Sequence, residues 1–252
     1  MKEPQPVIEV KNLVQRIGEM EILRGVNLRV FPGETLVLLG KSGGGKSVFL
    51  RHLIGLMRPF SGEIIVEGED IGNFGERQLG PIRRKVGMLF QDGALFDSMT
   101  VFQNVAFPLR EHGERDEEKI SAKVTEALTM VNMAGQEEKM PANLSGGMRK
   151  RVALARVIVT APDCILYDEP TAGLDPIISD SINRLIRRLQ NQLKVTSIVV
   201  THDMVSTEHI ADRVALLHEG KIYFYGTLGQ MRSSEDPIIR NFVEGRSTEE
   251  DR

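Results

Sequence analysis

The chain has 252 residues, 32 Lys plus Arg against 35 Asp plus Glu, a formal net charge of −3 and 41% hydrophobic residues. This is the composition of an ordinary globular protein, and its slight acidity argues against a dedicated DNA or RNA binder, which carries a strongly basic domain. The single cysteine, Cys164, excludes an intrachain disulfide framework or a multi-cysteine zinc site and fits a reducing compartment; no run nears the roughly 18 apolar residues of a membrane span, and MKEPQPVIEV has no apolar h-region, so no secretory signal is expected.

Strand and helix signals alternate along the chain. Val7–Leu13 and Glu21–Val30 mix apolar and polar residues as antiparallel strands with one wetter face do, and Gly62–Glu67 repeats the pattern. Between them Thr35–Leu39 is a continuous apolar run, the mark of a parallel strand covered on both faces; a helix is expected over Val48–Leu56. Val86–Phe90 is a second such run. From about 95 to 160 the strand signal fades. Ile120, Val124, Ala127, Leu128 and Val131 recur at helical spacing within Asp116–Val131, with Asp116 as N-cap and Lys119 where a full capping box carries Glu or Gln. Arg149–Thr160 is a further helix, and apolar runs resume at Cys164–Tyr167, Ser197–Thr201 and Val214–Leu217, with Lys221–Tyr225 added at a sheet edge. The expected fold is α/β: a mostly parallel sheet, an N-terminal antiparallel β subdomain, and an α-helical subdomain inserted at about 95–160. One domain is expected over residues 1–245, and the charged tail 246–252 is expected to fray.

Gly40-Lys41-Ser42-Gly43-Gly44-Gly45-Lys46-Ser47 fits G-x-x-x-x-G-K-[ST] and falls between an expected strand and an expected helix. Its glycines let successive backbone N–H groups point at phosphate oxygens, and the helix opening at Val48 adds its positive end. Lys46 would reach the β- and γ-phosphates, and the Ser47 hydroxyl would ligate Mg²⁺. The plain alternative, a flexible loop with a solvated lysine, suits the strand–loop–helix context poorly. The run Cys164–Tyr167 ends in Asp168 and Glu169, and ligands of open α/β sheets collect outside the carboxyl ends of strands. There Asp168 can hold Mg²⁺ through water, completing what Ser47 begins, and Glu169 can orient and deprotonate an attacking water. Alone, the two would read equally well as solvated acids at the Pro170 turn. Leu144-Ser145-Gly146-Gly147-Met148 makes a second anion nest, with Ser145 as N-cap and Gly146 and Gly147 freeing backbone N–H groups. By itself it would be an ordinary capped helix; with the first nest, it is one more than a single nucleotide needs.

In this order the motifs resemble the ABC-type ATPase family over nearly the whole chain. Gly40–Ser47 matches Walker A, Gln91 follows a strand, Leu144–Met148 matches the signature, Asp168 and Glu169 match Walker B and its base, Gly173-Leu174-Asp175 matches the D-loop, and His202 follows Ser197–Thr201. The resemblance implies the ABC ATPase fold, ATP with Mg²⁺, and a head-to-tail dimer. In it the Ser145–Gly147 nest of one copy closes on the γ-phosphate held by the glycine loop of the other. It implies further that Gln91 faces Mg²⁺ and the attacking water, that His202 hydrogen-bonds a γ-phosphate oxygen and orients Glu169, and that Asp175 meets the facing subunit. Two positions depart from the family pattern. Ile17 stands where an aromatic residue usually stacks on adenine, which leaves the choice of ATP over GTP open, with apolar contact from Ile17 or stacking by Arg16 as substitutes. Met148 replaces the commonest signature glutamine, a small change where backbone N–H groups make the phosphate contacts.

Without a membrane span, a transport role needs separate membrane subunits. Phe90-Gln91-x-Gly93-Ala94-Leu95-Phe96, then Val101-Phe102-x-Asn104-Val105-Ala106-x-Pro108-Leu109-Arg110-Glu111-His112, resembles the ATPase subunits of Mla-type transporters, as does Asp236-Pro237-x-x-Arg240-x-Phe242-x-x-Gly245. These transporters are associated with MCE-domain proteins and move phospholipids between membranes. The resemblance implies an integral membrane permease and a periplasmic MCE-domain protein as partners. It places two copies of this chain peripherally at the cytoplasmic face of the inner membrane, with no nucleic acid partner. Four of the ten phenylalanines lie in Phe90–Phe107, a density that suits a socket for a permease helix, although core packing uses some of them. An ABC ATPase for another substrate, such as an amino acid, would keep the same catalytic residues. A non-transport ABC protein would bring long coiled coils or a second cassette, and neither is seen. A P-loop kinase or GTPase would leave Ser145–Gly147, Asp175 and His202 without work.

Overall fold

The computed structural model describes residues 5–246. The expected tail lies outside them except for Arg246, as do the first four residues. The chain begins with an antiparallel sheet. β1 (Ile8–Ile17) and β2 (Met20–Val30) form a hairpin, β4 (Ser61–Val66) pairs with the other side of β1, and the short β5 (Glu69–Asp70) lies at the far edge. The second sheet runs in the order β10 (Lys221–Gly226), β9 (Arg213–His218), β3 (Thr35–Leu39), β8 (Thr196–Thr201), β7 (Cys164–Asp168), β6 (Val86–Leu89). From β9 to β6 all pairings are parallel, and β10 is added antiparallel at the edge, as its sequence predicts. β1 runs past its expected end at Leu13, because Val14, Gln15, Arg16 and Ile17 pair with Arg24, Leu23, Glu21 and Met20 despite their mixed polarity.

Side chains alternate across a strand, and here that alternation feeds two cores. β3 sends Leu36 and Leu38 into one and Val37 and Leu39 into the other. The first core is shared with the antiparallel sheet, with α1 (Lys46–Leu53) through Phe49, Leu50 and Leu53, and with α2 (Glu76–Lys85) through Leu79 and Ile82. The second is covered by α3 (Val101–Glu111), α4 (Glu117–Met130), α5 (Gly146–Ile158) and α6 (Pro176–Leu193). The central sheet is therefore a middle layer, and every residue of β3, β7 and β8 is buried. This double cover is why the middles of those strands are continuously apolar, with polar residues only toward their ends.

Between β6 and β7 the chain is helical: α3, α4, a 3₁₀ turn at Pro141–Asn143, and α5. Asp116 caps α4 by accepting from the N–H groups of Glu118 and Lys119 at 3.1 and 3.2 Å. α1 and α5 start earlier than periodicity suggests, at Lys46 and Gly146, because each glycine loop passes straight into helix. α7 (Met204–Ile210), α8 (Leu228–Arg232) and α9 (Pro237–Val243) follow, the last two sealing the second core with Met231 and Ile239. Among the described residues no helix is long and apolar enough to cross a membrane. The strand register decides where function can sit. Leu39 lies beside Thr201, Asp168 beside Val200 and Leu89 beside Tyr167, so four strands release their following residues at one edge of the sheet.

Candidate functional site

Gly40–Gly45 leave β3 and fold over the start of α1. Gly45 has φ +94°, and a Cβ there would come within 2.9 Å of the Ile22 side chain, so only glycine closes the turn in this way. No side chain caps α1, which leaves its first N–H groups for an anion. Lys46 is 5% exposed; its Nζ donates to the carbonyls of Gly40 (2.8 Å) and Lys41 (3.0 Å) and lies 3.5 Å from Glu169 Oε1. Burial pushes the Lys46 pKa below the usual lysine value, while the Glu169 charge pulls it back up. A desolvated ammonium beside a helix start with no side-chain cap suits a polyanion.

Ser47 Oγ donates to Asp168 Oδ1 at 2.7 Å, joining the loop to the end of β7. Glu169, the next residue, holds a left-handed backbone (φ +44°), and its N–H donates to Val200 O at 3.0 Å. Such a conformation in a non-glycine residue is costly and recurs where geometry serves function. It brings the Glu169 carboxylate to His202, whose Nδ1 donates to Oε1 at 3.1 Å. A pocket of about 370 Å³ gathers Ser42, Gly43, Gly45, Lys46, Ser47, Val48, Gln91, Glu169 and His202, with Ile17 and Ile22 beside them. Among the described residues no group of three or more His, Cys, Asp or Glu is placed to hold a metal. The Ser47–Asp168 pair offers two hard oxygens, which fits Mg²⁺, an ion that keeps waters and phosphate oxygens instead of an all-protein cage.

Ser145, Gly146, Gly147 and Asp175 do not line this pocket. Ser145 caps α5 as predicted, its Oγ accepting from the Met148 N–H at 3.3 Å, and Gly147 lies against Ile178. Asp175 caps α6: Oδ1 accepts from the N–H groups of Ile177 and Ile178, both at 3.0 Å. Arg16 is bound to Glu21 at 2.9 Å and stacked 4.3 Å from the Phe60 ring, so Ile17, 54% exposed, is the one of the two that reaches the pocket.

Several polar positions of the site's surroundings escape sequence reasoning. Buried Asn104 donates to the carbonyls of Phe96, Met99 and Thr100 and accepts from the Phe96 N–H, pinning the stretch before α3. Asn183 of α6 donates to Ser206, which donates to Asp203 beside His202. Lys150 is buried on α5 in line with Ala153, Leu154 and Val157, and a cation in that apolar stripe is the signal that could have found it.

A mostly parallel sheet whose strand ends present a phosphate cradle, an acid pair and a histidine defines a nucleotide-hydrolysing cassette. The family model described as ABC transporter matches residues 23–172. The chain belongs to this family, and it is an ATPase of the transporter class. It is 42% identical to the intermembrane phospholipid transport system ATP-binding protein MlaF of Haemophilus influenzae, over 96% of this chain and 92% of that protein. It is 43% identical to the probable ribonucleotide transport ATP-binding protein mkl of Mycobacterium leprae, over 95% of this chain and 69% of that protein. The ATP-binding cassette MJ0796, a dimer in a post-hydrolysis state bound to ADP and Pi, superimposes with a TM-score of 0.80 at 31% identity, covering 88% of this chain and 98% of that one.

Proposed function

We propose that this chain energises phospholipid transport between two membranes, as a head-to-tail ATPase dimer beneath an integral membrane permease that works with a periplasmic MCE-domain protein. The observation that carries the ATPase geometry is the connected set Ser47–Asp168 and Lys46–Glu169–His202 around one pocket, with the Ser145–Gly147 nest left outside it. The phospholipid reading is supported by similarity to MlaF along almost the full length of both chains.

Lys46 gives up the Gly40 and Lys41 carbonyls for phosphate oxygens, joined by backbone N–H groups from Gly43 to Val48. Ser47 and Asp168, with Gln91 nearby, would hold Mg²⁺, which offsets the negative charge of the phosphate oxygens. Withdrawal of Lys46 frees Glu169 to take a proton from water, while His202 fixes the direction of its carboxylate; general-base assistance of this kind is worth about 10²–10⁴ in rate. Ser145–Gly147 of a second copy binds the terminal phosphate from the opposite side, and Asp175 meets that copy with the oxygen its helix cap leaves over. Phe96, 41% exposed and 4.8 Å from the Phe107 ring centroid, belongs to the socket for a permease helix. Docked under such a permease, the dimer would lie peripherally on the cytoplasmic face of the inner membrane, a location supported by the similarity to MlaF.

The test is affinity purification from native membranes with identification of the copurifying subunits. A permease with an MCE-domain protein supports the proposal. A permease with a binding protein for one soluble nutrient, such as an amino acid or a ribonucleotide, overturns the substrate and keeps the ATPase.

A further inference from the structure

We propose that Lys150 and Arg156 are positioning residues that tie the Gln91 loop to the helix carrying the Ser145–Gly147 nest, so that loop and nest move as one body during turnover. This rests on the nucleotide site proposed above and adds two residues that act through Gln91.

α5 opens at the nest, and its side chains reach the segment that follows β6. Lys150 is 6% exposed, and its Nζ donates to the backbone carbonyl of Gln91. Further along the same helix, Arg156 donates through Nη1 to the Ala94 carbonyl and through Nη2 to the Gly93 carbonyl, both at 2.7 Å. Three carbonyls of one short loop are thus held by two cations of one helix. Hydrogen bonds from charged donors are roughly twice as strong as neutral ones. The loop also touches the helix directly: a Cβ on Gly93 would come within 3.2 Å of the Ala153 Cβ.

Simple stability does not account for this choice of residues. An apolar side chain at 150 would continue the stripe of Ala153, Leu154 and Val157 without the cost of burying an ammonium. Burial holds the Lys150 pKa below the usual lysine value, and the charges that oppose burial are Asp92 and the two acids of the site, Asp168 and Glu169. The buried cation therefore lies in the field of the two acids while gripping the main chain of a residue that lines the proposed nucleotide pocket. Any displacement of Gln91 pulls on α5, and α5 carries the nest. The Arg156 guanidinium also lies 5.9 Å from the Phe96 ring, so the proposed permease socket is fastened to the same body.

The experiment uses the purified full-length chain and its Lys150→Met, Lys150→Arg and Arg156→Lys variants. It measures thermal melting, amide hydrogen exchange over residues 91–95 without nucleotide, binding of a fluorescent ATP analogue, and steady-state hydrolysis. Lys150→Met is expected to melt cooperatively and to exchange the Gly93 amide, which donates to the Phe90 carbonyl, about tenfold faster. It should bind the analogue within about threefold of the parent while kcat falls about tenfold, a split that a merely loosened fold does not give. Lys150→Arg should restore both exchange and kcat. Unchanged exchange or unchanged kcat in folded Lys150→Met overturns the proposal, as does failure of Lys150→Arg to restore them. If Lys150→Met does not fold, Arg156→Lys, which keeps the charge and loses the two-pronged grip, decides by the same exchange readout. A parent chain that does not hydrolyse MgATP would instead count against the proposed function; the nucleotide-free exchange would still judge the tether.

Discussion

The two glycine nests look alike in sequence and differ sharply in setting. Gly40–Ser47 leaves the central strand β3, carries a lysine that is 5% exposed, and meets Asp168 and Glu169. Ser145–Gly147 opens α5 with its hydroxyl committed to the helix cap, and none of its residues lines the pocket that holds Lys46 and Glu169. A nest alone is a local property, made by glycines and a helix start; a reaction site needs the neighbouring strand ends as well. The first nest meets its acids within one chain, whereas the second, in the proposed dimer, would supply half of a site shared with another copy.

The largest effect should come from removing the base beside the first nest. Glu169→Gln should lower kcat by about 10²–10⁴ while leaving nucleotide affinity intact, read by single-turnover hydrolysis and by titration of a fluorescent analogue. Equal loss of binding and turnover would contradict the role of Glu169. Lys46→Ala removes the buried ammonium and should weaken nucleotide binding by roughly 10- to 150-fold, the worth of one or more charged hydrogen bonds, as measured by calorimetry. Near-normal affinity would mean that the first nest is not the primary phosphate site.

Ile17→Tyr sharpens the comparison at the rim of the same pocket. A stacked ring is worth roughly 0.5–1.5 kcal/mol beyond its area, so the variant should bind ATP about two- to twelvefold more tightly. Unchanged affinity would place the base elsewhere than over Ile17.

The smallest effect concerns the helix under the first nest. His52 is fully buried on α1; its Nδ1 donates to the Val48 carbonyl at 2.7 Å, and Nε2 lies 3.1 Å from Gln15 Oε1. Burial lowers its pKa below the ordinary value of 6.5, so the unfolded chain binds more protons than the folded one as the medium turns acid. Its contribution is fully present above about pH 6.5 and is lost as pH falls through the folded value. Melting between pH 8 and 5 should show this decline, and His52→Gln should flatten it; an unaltered slope would exclude His52 as the cause.

What was legible in the sequence follows the same division between local and long-range. β3, β7 and β8 could be read because burial on both faces forces continuous apolar runs. α2 could not: Gly80 and Pro81 break helices by propensity, yet Leu79 and Ile82 anchor it in the core. α6 has no expectation in the sequence analysis although Ile182, Leu185, Ile186 and Leu189 form its stripe, and Asp175, expected at a subunit contact, is also the cap that starts the helix. Gly40–Ser47, Gln91, Asp168–Glu169 and His202 are short polar runs at or just after strand ends, so they stand out against the apolar runs before them. The grip of Lys150 on Gln91 joins residues 59 positions apart, and only the packing of α5 creates it.

The decisive measurement is a disulfide test between nests, in a chain whose only native cysteine, Cys164, is buried in β7. Ser42→Cys and Ser145→Cys are placed on separate copies, mixed, and oxidised with and without a non-hydrolysable ATP analogue. A crosslink between copies that forms only with the analogue is the predicted result. No such crosslink at saturating analogue, with both copies folded and loaded, would contradict a shared site made from two different nests.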